Sequence, residues 1–229
     1  IKNVLAALVF LPFVFFIDWQ ANLLNIVILF FSGAIGIALG DSLYIAALKR
    51  IGTRKTLSVD SLSPITANIM GIFLIGENLT FRSWFGILIV TISLFLLSTH
   101  NFQDPFNKDK PMVVDNRGFL YAGCSILCAT LAATMSRYVL LNSTLTPIHS
   151  TEIRLIGSVI TLSPFVAVNP LILFGQLSSV SATKLCIATL LGTNIGILLQ
   201  QIVFLTMPIG VGWTLLSTSM LIALIFAGF

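Results

Sequence analysis

The sequence predicts an all-α fold, a polytopic transmembrane helical bundle, on three observations. Apolar residues make up 57% of the chain and charged ones 9%, with a mean hydropathy of +1.03, whereas a soluble domain carries about 25% charged residues. Apolar runs recur that are long enough to cross roughly 30 Å of hydrocarbon, which takes about 20 helical residues. The second half repeats the small-residue spacing of the first. These runs lack the alternation of a lipid-facing barrel strand, so helix is the spanning element.

Each span follows from its borders. The first, 1–17, ends at Asp18, and the second, 23–48, stops at Lys49 and Arg50. The third, 56–76, lies between Lys55 and Glu77, and the fourth, 82–99, runs from Arg82 to His100. The fifth, 117–141, starts at Arg117 and meets Asn142. The sixth, 148–168, follows Pro147 and closes before Asn169 and Pro170. The seventh, 184–206, opens at Lys184, and Pro208 separates it from the eighth, 209–229. The one sustained polar stretch, 100–116, carries Asp104, Lys108, Asp109, Lys110 and Asp115 and divides the spans four and four.

Residues 1–99 and 117–229 therefore read as two repeats joined by a polar linker. A shift of 156 lays Gly36 and Gly40 on Gly192 and Gly196, Ser61 and Ser63 on Ser217 and Ser219, and Ala67 on Ala223. A shift of 152 lays Pro12-Phe13-Val14 on Pro164-Phe165-Val166 and Lys2 on Arg154. The chain begins without Met and ends inside an apolar run, so it is expected to be a piece of something longer, the first repeat lacking its opening helix and the second its closing one. Five spans per repeat would invert the second in the membrane, a common plan of alternating-access carriers.

The stretches Ala46-Ala47-Leu48-Lys49, Ser61-Leu62-Ser63-Pro64 and Leu74-Ile75-Gly76-Glu77-Asn78-Leu79-Thr80, followed by Gly86, resemble the EamA repeat of the drug/metabolite transporter superfamily. That resemblance implies ten helices in two five-helix repeats and a transport function. It is sharper in the first repeat: the second has Met220 in place of Pro64 and Val203-Phe204-Leu205 in place of Ala47-Leu48-Lys49.

Ionisable side chains deep in a membrane helix cost roughly 2.5–3.5 kcal/mol on insertion scales and face the bundle interior or water. Asp60 shares a face with Pro64, Ala67 and Gly71, a small-residue face that suits a neighbouring helix. Asp41 lies at the edge of the Gly33, Gly36, Gly40 and Tyr44 face. Either carboxylate could bind a proton or a cationic substrate group, or pair with Lys49, Arg54 or Lys55. Pro64 frees a carbonyl near Asp60 and Ser61 and, with Ser63, could line a polar cavity. Asn194 and Gln201 share a stripe opposite Gly192 and Gly196, where the glycines would admit a helix and the amides meet a cavity or bond between helices.

Trp213, Tyr44 and Tyr138 could stack on a substrate ring or anchor at the interface. Arg137 and Arg154 read as snorkelling to the interface or touching substrate. Glu77 reads as a cap or surface pair. The substrate-binding set is thus Asp41, Tyr44, Asp60, Ser63, Pro64, Asn194, Gln201 and Trp213.

His100 and His149 lack ligand-spaced companions and point to no metal. Cys124, Cys128 and Cys186 lack a CxxC and read as packing residues. The sequence contains no nucleotide-binding or hydrolase motif, so catalytic residues and cofactors are expected to be absent and any driving force to come from a gradient. The net charge of +4 sits at span ends and forms no nucleic-acid patch.

Alternate numbering of the span ends gathers Lys2, Lys49, Arg50, Arg54, Lys55, Lys108, Lys110, Arg117 and Lys184 on one side, against Arg82, Arg137 and Arg154. The positive-inside rule makes the first group cytoplasmic, while the resemblance implies the reverse.

The expected function is a secondary carrier for a small organic metabolite, an amino acid or related compound, in a cell membrane. Its partners would be the substrate and membrane lipid, with coupling to a proton or a counter-substrate. The alternatives are a lipid-modifying enzyme, an assembly subunit, or an exchanger of sugar phosphates or nucleotide sugars that would use Lys55 and Arg137.

Overall fold

The computed structural model describes residues 2–16, 23–99, 115–166 and 179–227. It is helical in every described element: α1 (Lys2–Phe10) running into a 3-10 turn (Leu11–Phe16), α2 (Leu23–Gly33), a π-helical segment (Ala34–Gly40), α3 (Asp41–Asp60), α4 (Ser63–Ile75), α5 (Phe81–Thr99), α6 (Asn116–Asn142), α7 (Pro147–Val166), α8 (Ser179–Ala188), a second π-helical segment (Thr189–Ile195), α9 (Gly196–Thr206) and α10 (Ile209–Ala227). These elements line up with the eight predicted spans. Four stretches meet both length and hydropathy for crossing a bilayer among the described residues: Leu23–Thr53, Lys55–Ile75, Asn116–Asn142 and Thr183–Thr206. The protein is an integral membrane protein of the polytopic helical kind.

The borders differ from the sequence reading where backbone chemistry intervenes. Helix continues through Lys49 and Arg50, and the break falls at Gly52, whose φ of 78° and ψ of 168° suit only a residue without a Cβ. In the second half the matching break is Met207 and Pro208, between α9 and α10. The two π-helical segments also correspond, within one residue of the shift that superposes Gly36 on Gly192.

Two compact units form, and each draws helices from both halves of the sequence: Ile1–Ala38 with Met135–Thr206, and Leu39–Thr134 with Met207–Phe229.

In the first unit α7 packs against α2, α1 and α9. Ile26, Leu29, Val139, Leu145 and Ile153 make one core, and Ala6, Phe10, Ile37 and Leu155 another. The α2–α7 contact is reciprocal. A Cβ on Gly33 would fall on the Arg154 backbone carbonyl, and one on Gly157 would fall on that of Phe30. Glycine on each helix lets the other's backbone come close, which is how membrane helices pack without a hydrophobic driving force between them.

In the second unit α4 packs along α10 and α3 along α5. The α4 face of Ser63, Pro64, Ala67, Asn68 and Gly71 is buried, while Leu62, Ile69 and Phe73 are exposed, as the small-residue pattern requires. Ala47, Ile51 and Ala122 join α3 to α6. At the start of α6, Asp115 Oδ2 accepts a bond from Arg50 Nη1 at 2.8 Å, and Oδ1 accepts the Arg117 amide at 3.0 Å. The Arg50 guanidinium, itself 5.3 Å from the Tyr121 ring centre, holds the Asp115 carboxyl below the ordinary aspartate range.

Candidate functional site

Six of the eight predicted site residues, Asp41, Tyr44, Asp60, Ser63, Pro64 and Trp213, fall in the second unit. The helical path breaks at Ser61 and Leu62, and α4 restarts with Pro64 in its first turn, where a missing N–H costs nothing. The sequence reading of a loosened helix thus becomes a two-residue interruption. There Asp60 Oδ1 accepts a hydrogen bond from Ser63 Oγ at 2.8 Å, and Asp60 is half-buried. Tyr44, on the same α3 helix, is half-buried and lies within electrostatic reach of both Asp60 and Asp41.

Asp41 is exposed, not buried as its depth in the apolar run suggested. The π-helical turn of Ala34–Gly40 precedes it, and its i→i+5 bonds put more residues in each turn than the 3.6-residue period assumes, which shifts the register. The last residue of that turn, Gly40, offers its carbonyl to Ser125 Oγ at 2.9 Å.

Asn68 is the residue that sequence reading missed. It is fully buried, and neither its Oδ1 nor its Nδ2 has a hydrogen-bond partner. It sits on the α4 face below Pro64, so close to Gly210 that a Cβ there would lie 2.6 Å from the Asn68 Cβ. Trp213, half-buried, follows Gly210 by one turn of α10. An amide amid small apolar neighbours could have been found by asking which polar residue the Pro64, Ala67 and Gly71 face carries.

Glu77 is a cap, one of the two roles read for it. Its Oε2 accepts the Ile209 amide at 2.9 Å, at the N-terminus of α10. Gly71 makes room, since a Cβ there would lie 2.9 Å from the same oxygen.

Asn194 and Gln201 belong to the first unit, and their amides bond between helices. Asn194 Nδ2 donates to the Ala6 carbonyl at 2.8 Å. Gln201 Oε1 accepts from Ser150 Oγ at 2.9 Å and also from Ser136 Oγ. Among the described residues no helix meets the glycine face, and nothing lies within 4 Å of a Cβ on Gly192.

Arg137 and Arg154 do not snorkel. They are 8% and 4% exposed, and Arg137 Nη1 donates to the Phe204 carbonyl in the last turn of α9. A guanidinium at a helix C-terminus answers carbonyls that have no partner within the helix. His100 lies outside the described residues, and Cys124, Cys128 and Cys186 are free thiols.

The model of the EamA-like transporter family matches residues 1–99. Over those residues, fewer than half of its length, the chain is similar to the EamA-like transporters of the drug/metabolite transporter superfamily, which supports a membrane transporter in general. No curated protein matches the chain.

Proposed function

We propose, with the similarity of residues 1–99 to the EamA-like transporters as premise, that the protein is a secondary carrier of small organic metabolites, amino acids or related compounds, in a cell membrane. Transport proceeds by alternating access of two inverted repeats. The paired π-helical segments and the paired breaks at Gly52 and Pro208 support the duplication. A substrate moves such an equilibrium by its differential affinity for the inward- and outward-open forms.

The observation that carries the reading is Asn68. A fully buried carboxamide with donor and acceptor both unfilled costs stability on desolvation, about 1–3 kcal/mol, and persists where a ligand answers it. It stands on the same buried α4 face as Ser63, whose hydroxyl bonds Asp60. A carboxamide on α4 and the Asp60 carboxylate bonded at its start would together suit a zwitterion, the amide for its carboxylate and Asp60 for its ammonium group.

Thermal unfolding of the full-length protein against a metabolite panel tests this, because a ligand that binds the folded state raises its stability. An amino acid or close relative is expected to raise the midpoint in wild type and less so in Asp60→Asn. A panel in which only sugar phosphates or nucleotide sugars stabilise the protein would sink the substrate class.

A further inference from the structure

Glu152 of α7 is fully buried, and neither carboxylate oxygen has a hydrogen-bond partner. Its place is apolar. Ile148, Glu152 and Leu155 recur at steps of four and three and so share one face of α7. Ile148 and Leu155 pack with Ala6, Ala7 and Phe10 of α1, Ile37 of the first π-helical segment, and Ile197 and Leu198 of α9.

A second unfilled acceptor reaches the same α1 helix from the second π-helical segment. Asn194, 3% exposed, spends its Nδ2 on the Ala6 carbonyl, and its Oδ1 has no partner. Both groups accept and neither donates to the other. A bare carboxylate in such surroundings costs several kcal/mol even after relaxation, so the site calls for positive charge.

Among the described residues no fixed cation answers Glu152. On α7 itself stand His149, half-buried, and Arg154, which leaves the helix roughly 200° round the axis from Glu152. Lys2 on α1 is exposed, and Arg137, beside Tyr138 at the end of α6, is bonded to the Phe204 carbonyl. Lys184 and Cys186 on α8 are exposed, and α2, the Leu11–Phe16 turn and α9 carry no titratable side chain. The missing charge is therefore a mobile one, small enough for a closely packed site.

We propose that Glu152, with Asn194, binds a small monovalent cation, a proton or a sodium ion, whose gradient drives the carrier. This rests on the carrier reading for its role in transport; the binding itself stands on the two orphaned acceptors.

The test uses the full-length protein in lipid vesicles with no substrate present. Infrared spectra across a pH titration show a carboxylic-acid carbonyl band that E152Q lacks, which assigns the proton. Alternatively, sodium chloride stabilises wild type over choline chloride and E152Q loses the effect, which assigns sodium. Wild type giving neither signal overturns the proposal, as does either signal persisting undiminished in E152Q.

If E152Q does not fold, E152D replaces it: the band must then change frequency, or the apparent sodium affinity fall at least tenfold, and an unchanged result overturns the proposal. Coupling is read separately with a radiolabelled amino-acid mixture. E152Q keeps exchange at equal concentrations and loses accumulation against a gradient; retained accumulation overturns the coupling role. Absence of exchange in wild type strikes the carrier reading instead, and leaves the cation site to the substrate-free measurements.

Discussion

Glu77 Oε2 accepts the backbone N–H of Ile209 at 2.9 Å, so an acid just past α4 caps the start of α10, 132 positions further along the chain. A carboxylate there meets both an unpaired amide and the positive end of the helix dipole. Glu77→Ala is expected to cost about 1–2 kcal/mol, in the range of a lost helix cap, and Glu77→Gln less, because the amide oxygen still accepts. Thermal unfolding of the full-length protein measures both; equal stability of Glu77→Ala and wild type would remove the cap from the account.

The Gly33 and Gly157 pair predicts the opposite of a surface substitution. Gly33→Ala and Gly157→Ala each push a methyl into the neighbouring helix backbone and are expected to cost about 1–3 kcal/mol or more. Gly192→Ala meets open space within a helical segment and is expected to be neutral or to stabilise by up to about 1 kcal/mol. Chemical denaturation of the three variants orders them.

At Gly52 the prediction concerns the backbone alone. With φ at 78° and ψ at 168°, Gly52→Ala is expected to cost about 1–3 kcal/mol or to straighten the path from α3 towards α4. Spin labels at Lys49 and Lys55 would report a lengthened distance if the helix straightens.

Asn68→Ala separates stability from transport. Removing an amide whose polar atoms have no partner is expected to leave the folded state as stable as wild type or more so. Apparent substrate affinity is expected to fall at least tenfold. Reduced stability with unchanged affinity would make Asn68 a packing residue.

Acid should loosen the start of α6 selectively. The Arg50 bond holds Asp115 below the ordinary aspartate range. Its contribution is therefore present above the unfolded value, near 3.8, and is lost as pH falls through the lower folded value. Amide exchange at Arg117 and Gly118 is expected to lose protection there in wild type, while Asp115→Asn shows no such pH-dependent step. The pair is exposed, so the effect stays local.

Apolar runs made the spans legible in the sequence because lipid demands them over a fixed thickness. The buried α4 face was legible for the same kind of reason: Pro64, Ala67 and Gly71 are small where a helix must approach. Asp41 was misplaced because no sequence period announces the π-helical turn ahead of it. Arg137 looked like an interfacial residue since its partner, the Phe204 carbonyl, is a backbone atom invisible to a side-chain reading. Asn68 and Glu152 went unread because an orphaned polar atom is a property of surroundings, not of residue type.

Each compact unit takes helices from before and after the linker. A ribosome that has released only residues 1–99 into the bilayer has therefore supplied α1 and α2 without α7, and α4 without α10. Neither bundle can close until the tail of the chain arrives, so separately expressed halves should be prey to quality-control proteases, and made together in one cell they should protect each other.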